Sequence, residues 1–293
     1  MPEFISKFQY KTYEKGEFSD EQARDLEETL QLIKTFPWAE QRGADVQLTG
    51  PSVTIRDEYG NYLKAALYFN GKFCLYYLDT DGHLYEYHAE NLNTVYGFVT
   101  DFFNQQLDIQ KFEKNLFSMG SRKHFETGSF EYSVNKPVML FYFLMIIAFL
   151  FLEITTVIAF FMIKDMPGAF ILIPLFLLIL CLSTFYFMIK LYFKTKDMVI
   201  VISKGAKDFQ FGQDNALGDY EKENVSALNI YGQTARSSRI FNLMELVFKD
   251  GTNLIVPGIL LDPYDFVLKF PGIEANYRGG YFLTSKIFWN FTQ

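Results

Sequence analysis

The sequence predicts a membrane protein: an α-helical transmembrane hairpin flanked by an N-terminal α+β domain and a C-terminal β-rich domain. Three observations predict it. Two apolar runs, Val138–Ile163 and Ala169–Phe193, are separated only by Lys164-Asp165-Met166-Pro167-Gly168. Each has about 25 residues, where a bilayer core asks for about 20 in a helix. The flanks are punctuated by turn residues at the short spacing of antiparallel strands. Aromatic residues, 18% of the chain with 33 Phe and 19 Tyr, continue into those flanks, as they do in β-rich domains.

In chain order, Ser19-Asp20-Glu21-Gln22 has the form of a helix capping box, and Leu26, Leu30 and Ile33 follow at helical spacing. Pro37 ends that helix. From Ser52 to His88 the pattern becomes a four-stranded antiparallel meander. Its turns are Tyr59-Gly60-Asn61, Asn70-Gly71 and Asp79-Thr80-Asp81-Gly82, and Asn-Gly is favoured where φ must be positive. Val95, Phe98, Val99, Phe102 and Phe103 mark an amphipathic helix lying across that sheet. Residues 1–106 thus form one domain: helix, meander, helix.

Residues 107–137 read as a juxtamembrane linker. Ile109, Phe112, Leu116 and Phe117 alternate there with Lys111 and Lys114, the pattern of an interfacial helix or of a continuation of the preceding helix followed by a linker. The hairpin fills 138–193. In hydrocarbon the backbone must satisfy its own hydrogen bonds, so both runs are expected to be helices, and the short connection makes them antiparallel. Pro174 is expected to kink the second. After it come strands at Met198–Ile202, Val225–Tyr231, Leu243–Lys249 and Asn253–Val256. Asp262-Pro263 then caps a short helix, and 273–293 is a tail.

Net charge is -7, so a nucleic-acid partner is not expected. The two cysteines, Cys74 and Cys181, provide no disulfide framework. The N-terminal stretch lacks the sections of a signal peptide. Lysines and arginines gather near the open ends of the hairpin (Arg122, Lys123, Lys136, Lys190, Lys194, Lys196), while the turn has Lys164 beside Asp165. Both termini are therefore expected in the cytoplasm.

Glu153, near the middle of the first run, is the sharpest candidate residue, because an ionisable group there costs about 2.5–3.5 kcal/mol even on insertion scales. Across the hairpin it should lie level with Cys181, Ser183 and Thr184, with Thr156 one turn along. It then serves either a path in an oligomer or a structural hydrogen bond. Tyr62, Tyr68, Tyr76, Tyr77, Tyr85 and Tyr87 exceed what one sheet face buries and are candidates for partner binding. Arg236 and Arg239, flanking Ser237-Ser238, are candidates for headgroup contact. His83 and His88 fall on opposite strand faces, so no metal site is expected. No nucleophile, phosphate-loop or zinc motif is present, and neither enzymatic activity nor a cofactor is expected.

Tyr220–Leu228, Phe248-Lys-Asp-Gly-Thr252 and Leu261–Phe270 resemble the bacterial pleckstrin-homology-like domains of membrane proteins. That resemblance, over 197–272, implies a partly open barrel for protein or lipid contact, without catalytic residues. The capped helix, Phe36-Pro37-Trp38 and the Tyr62–Tyr77 meander resemble small α+β immunity domains. Together they imply a protein of the bacterial cytoplasmic membrane that acts by protein binding, in one form as an immunity protein neutralising a membrane-acting toxin. The alternative is an oligomeric channel or transport subunit using Glu153.

Overall fold

The computed structural model describes residues 2–43, 48–116, 120–162, 172–232 and 242–278. The chain divides into two compact units, Met1–Phe130 with Ser203–Ala206, and Glu131–Ile202 with Lys207–Gln293.

The first unit is built on a seven-stranded antiparallel sheet: β1 (Phe4–Gln9), β2 (Ser19–Arg24), β3 (Ser52–Arg56), β4 (Tyr62–Leu67), β5 (Phe73–Leu78), β6 (Leu84–Ala89) and β7 (Glu113–Lys114). The spatial order is β2-β1-β3-β4-β5-β6-β7, so the expected meander is its centre. Asn70 and Gly71 turn the β4–β5 hairpin at φ 56° and 77°, the left-handed region that asparagine tolerates and that glycine enters freely for want of a Cβ. Helices α1 (Leu26–Thr35) and α2 (Leu92–Phe103) cover one face. All five expected residues of α2 are buried there.

Two expectations are corrected here. Ser19–Arg24 is a strand, paired with β1 from Phe4↔Arg24 to Phe8↔Ser19. The helix begins later, where Asp25 accepts from the Glu28 amide and Glu28 reaches back to the Asp25 amide. A second capping box six residues downstream outcompetes the first, because pairing with β1 takes Ser19–Arg24 out of helical geometry. The interfacial helix is also absent from its described residues: Ile109–Lys111 is a 3-10 turn, Glu113–Lys114 pairs with β6, and Phe112 is buried in the core. Phe117 lies outside the described residues.

Segment Ser203–Ala206 is clasped within this unit by the β1–β2 connection. The Glu17 carboxylate accepts from Ser203 Oγ at 2.6 Å and from the Gly205 amide at 2.9 Å, and Glu14 accepts from the Lys204 amide at 2.8 Å. Glycine is required at 205, since a Cβ would stand 2.2 Å from the Tyr13 ring.

The second unit starts with β8 (Glu131–Ser133) and runs directly into α3 (Lys136–Met162) and α4 (Leu172–Thr195). After them come β9 (Met198–Val201), β10 (Asp208–Gln213), β11 (Ala216–Glu221), β12 (Val225–Tyr231), β13 (Leu243–Phe248), β14 (Asn253–Pro257), α5 (Pro263–Leu268) and β15 (Ala275–Arg278). Two four-stranded sheets result, ordered β11-β10-β9-β8 and β14-β13-β12-β15. As expected, Asp262 caps α5 with Pro263 in its first turn. Two pairings depart from the expected boundaries. Residues 131–133, placed in the linker, pair with β9 across the hairpin, and Ala275–Arg278, placed in the tail, runs parallel to β12.

The helices α3 and α4 are therefore inserted between two paired strands. Phe143 meets Phe185 and Tyr192 at ring distances of 6.1 and 6.0 Å, while Glu153 lies within electrostatic reach of Cys181. Partner numbers fall as the first number rises, so the helices are antiparallel. At their base Met139 and Met188 are buried with Ile200, Phe209, Phe211 and Leu246 in one core. Beyond the base the helices expose apolar side chains, among them Phe151 at 70% and Phe161 at 74%. Pro174 is the third described residue of α4, and the residues just before Leu172 lie outside the described ones. Lys164 and Asp165 of the turn lie outside the described residues.

Candidate functional site

Glu153 sits well inside α3 and is half-buried. The hydroxyls expected to meet it are turned onto their own helices. Thr156 donates to the Leu152 carbonyl at 2.8 Å, while Ser183 and Thr184 both donate to the Leu180 carbonyl, at 2.8 and 2.9 Å. A hydroxyl one turn from a helical carbonyl finds a local acceptor without crossing between helices. Among the described residues no hydrogen bond reaches the Glu153 carboxyl. Cys181 is its cross-hairpin neighbour, as the antiparallel register requires.

The six tyrosines do not form an exposed row. Tyr62, Tyr76 and Tyr77 are buried; Tyr68, Tyr85 and Tyr87 are half-buried. Tyr77, Tyr85 and Tyr87 lie on the helix-covered face, where Tyr87 meets Phe98 at 4.5 Å. Tyr62, Tyr68 and Tyr76 lie on the opposite face, which Phe125 covers. Burial pushes the Tyr77 hydroxyl up to about 12, and it pushes that of Tyr76 up further. The second cover comes from a stretch distant in sequence, so the surplus of tyrosine does not become free surface.

Under that cover lies a group that strand alternation does not reveal. Lys64 is wholly buried on β4, its Nζ donating to Gln9 Oε1 at 3.2 Å and to the His124 carbonyl at 3.0 Å. The Phe18 and Phe125 rings lie 5.5 and 5.6 Å from Nζ. Thr54, between Lys64 and Lys7 in register, has a buried hydroxyl with no partner. Among the described residues no carboxylate pairs with Lys64. Burial, helped by the Lys7 charge, lowers its amine to about 7. Burial also lowers His124 to about 4, with Lys15 and Lys64 adding to the effect.

In the second unit a groove of about 510 Å³ opens beside β11 and the β13–β14 turn. Its aromatic wall is Tyr220 stacked on Phe248 at 5.7 Å. Asp219, Glu221 and Asp250 line it with Lys249. The carboxylates accept from neutral donors: Asp219 from Gln210, Glu221 from Asn224, and Asp250 from the Thr252 amide and hydroxyl. The Thr252 hydrogen bonds hold the Asp250 carboxyl below its usual range. Arg236 and Arg239 lie outside the described residues.

At the tip of the β5–β6 hairpin, Asp79, Asp81 and His83 each bring a ligand atom within 4.8 Å of the others. They could hold a metal ion, an arrangement that histidine spacing alone does not show. His83 Nδ1 already lies 3.0 Å from Asp79 Oδ2.

Residues 131–269 match the family model of the PH domain. The matched region starts at β8 and spans the inserted helices, so the C-terminal part of the chain is a PH-like domain. No curated protein and no solved structure matches the chain.

Proposed function

We propose that the chain is an integral membrane protein, anchored by the α3–α4 hairpin, that acts without catalysis by binding another protein through its flanking domains. The observation that carries this reading is the hairpin. Both helices have windows of mean hydropathy 2.5, of which 0% and 17% are buried. That much apolar surface facing water would cost the fold heavily at about 25 cal/mol per Å². The clustering of lysines at the helix base favours the bacterial cytoplasmic membrane with both termini in the cytoplasm. A concrete form of the activity is immunity, in which the N-terminal domain captures a membrane-acting toxin. A second reading has support of its own: the unpartnered Glu153 carboxyl fits an oligomeric channel or transport subunit in which another copy supplies its partner.

One experiment separates these. The full chain is carbonate-washed in its native membrane, extracted in mild detergent and captured, and its partners are identified by mass spectrometry. One dominant partner, lost when residues 1–106 are replaced, is the expected result. Release by carbonate sinks the membrane reading. Recovery of a self-multimer alone favours the second reading, and Glu153→Gln should then abolish function while leaving assembly intact.

A further inference from the structure

The face of the N-terminal sheet turned away from α1 and α2 carries a row of buried polar side chains. Register sets Lys7 opposite Thr54 and Thr54 opposite Lys64, so the three project from neighbouring strands on one side. They are 3%, 0% and 0% exposed. Lys7 Nζ donates to Glu21 Oε1 at 3.2 Å and to Thr127 Oγ1 at 2.8 Å, so a carboxylate holds its proton. Lys64 has no such counterion among the described residues. Its two acceptors, the Gln9 side-chain oxygen and the His124 carbonyl, are neutral. The Gln9 amide is itself fixed, because its nitrogen donates to the Glu14 carbonyl at 2.7 Å. A neutral amine has two N–H groups and one lone pair, and these acceptors use both N–H groups. The lone pair is left unclaimed. With the amine brought to about 7 by burial, Lys64 near neutral pH is uncharged about a thousandfold more often than an ordinary lysine.

Two neighbours select what such an amine would take. The Thr54 hydroxyl is buried with no partner and is free to donate. The Lys7 ammonium supplies positive charge, and the Nζ atoms of Lys7 and Lys64 lie against the same Phe18 ring, at 4.4 and 5.5 Å. A nucleophile beside a cation and a free donor suits an electrophile that becomes an anion on addition. The electrophile must arrive uncharged, since a preformed anion would have to shed its hydration to reach a wholly buried amine. It must also be small. Carbon dioxide meets both conditions. We propose that Lys64 takes up carbon dioxide as a carbamate, whose carboxylate is held by Lys7 and Thr54. The Lys64 lone pair attacks the carbon of CO2, the N–C bond forms as one C=O π pair moves onto oxygen, and a proton leaves the nitrogen for bicarbonate in solution. The cation already in place offsets the cost of burying the new charge. The site lies wholly within the first unit and does not depend on the membrane reading.

The test uses the full chain in mild detergent near neutral pH, with nitrogen-15 in its lysines. The protein is equilibrated with carbon-13 bicarbonate and read by carbon NMR. The expected result is one carbonyl signal, split by a directly bonded lysine nitrogen, that disappears when CO2 is purged and is absent from Lys64→Met. Thr54→Val keeps the side-chain shape and removes the donor. It should lower the signal about tenfold at subsaturating bicarbonate, the worth of one hydrogen bond to a charged group. A folded wild type without a split signal overturns the proposal. An undiminished signal in Lys64→Met also overturns it, by placing the adduct on another lysine. If Lys64→Met fails to fold, wild type and Thr54→Val decide, and a yield unchanged by Thr54→Val overturns the assigned seat.

Discussion

At the scale of single residues, Lys64 sets a pH dependence whose sign is fixed by its surroundings. Its amine titrates at about 7 in the fold against 10.5 as the ordinary value. The fold therefore favours the neutral form, so the Lys64 contribution is fully present above about 10.5, declines as pH falls, and levels off below about 7. Lys7, also lowered by burial, acts in the same direction. His124 adds a second decline as pH falls from 6.5 to about 4. Between about pH 9 and about pH 7 the folding constant of the N-terminal domain should fall by up to about tenfold per pH unit. Lys64→Met, which keeps the stem and removes the titration, should flatten that part and raise stability at neutral pH. Thermal unfolding of both proteins across this range decides it, and parallel profiles would exclude the buried amine as the cause. Lys64 was hidden because Tyr62-Leu63-Lys64-Ala65 reads as a strand with one polar face. What turns that face inward is Phe125, which no local pattern announces.

At the scale of elements, the start of α1 gives a sharp contrast between two capping boxes. Asp25 satisfies the Glu28 amide, so Asp25→Ala should cost about 1 kcal/mol in urea unfolding. Gln22 is an exposed residue of the β2 strand, and Gln22→Ala should stay within about 0.5 kcal/mol. Equal losses at both positions would mean that the helix starts at Ser19 after all. The other elements show which signals are legible. Asn70-Gly71 and the buried stripe of α2 are local signals, turn chemistry and helical spacing, and the structure matches both. The hairpin runs were legible because a helix satisfies its own backbone. The capping box at Ser19 misled because a cap motif records only a local preference. Pairing with β1, worth several backbone hydrogen bonds, overrides it.

At the scale of the molecule, the placement of the hairpin decides what the C-terminal domain needs in order to fold. The sequence alone put the start of that domain after the membrane segment, since sheet pairing across two long helices leaves no periodic trace. Asp79-Thr80-Asp81-Gly82 reads as a plain hairpin turn because it lacks the downstream acidic ligands of a calcium loop, and what its spacing does not show is His83 folded back beside both carboxylates. In the structure β8 pairs with β9, and Val134, 5% exposed, enters the core just before α3. Tyr132 accepts from Lys269 Nζ at 3.0 Å, joining this first strand to the segment after α5. A chain beginning at Ser129 keeps all of these contacts; one beginning at Lys136 retains both helices and loses them. The shorter chain should be less stable by about 2–4 kcal/mol, the order expected for removing a buried aliphatic side chain together with its strand pairing. Thermal unfolding in the same detergent measures the difference, with helix content as the control that the hairpin has formed. Equal stability would show that the strand before the hairpin is dispensable. A loss confined to the shorter chain would mean that the hairpin is held at both ends by one sheet, so that any tilt of the helices is felt by the domain core through Met139 and Met188.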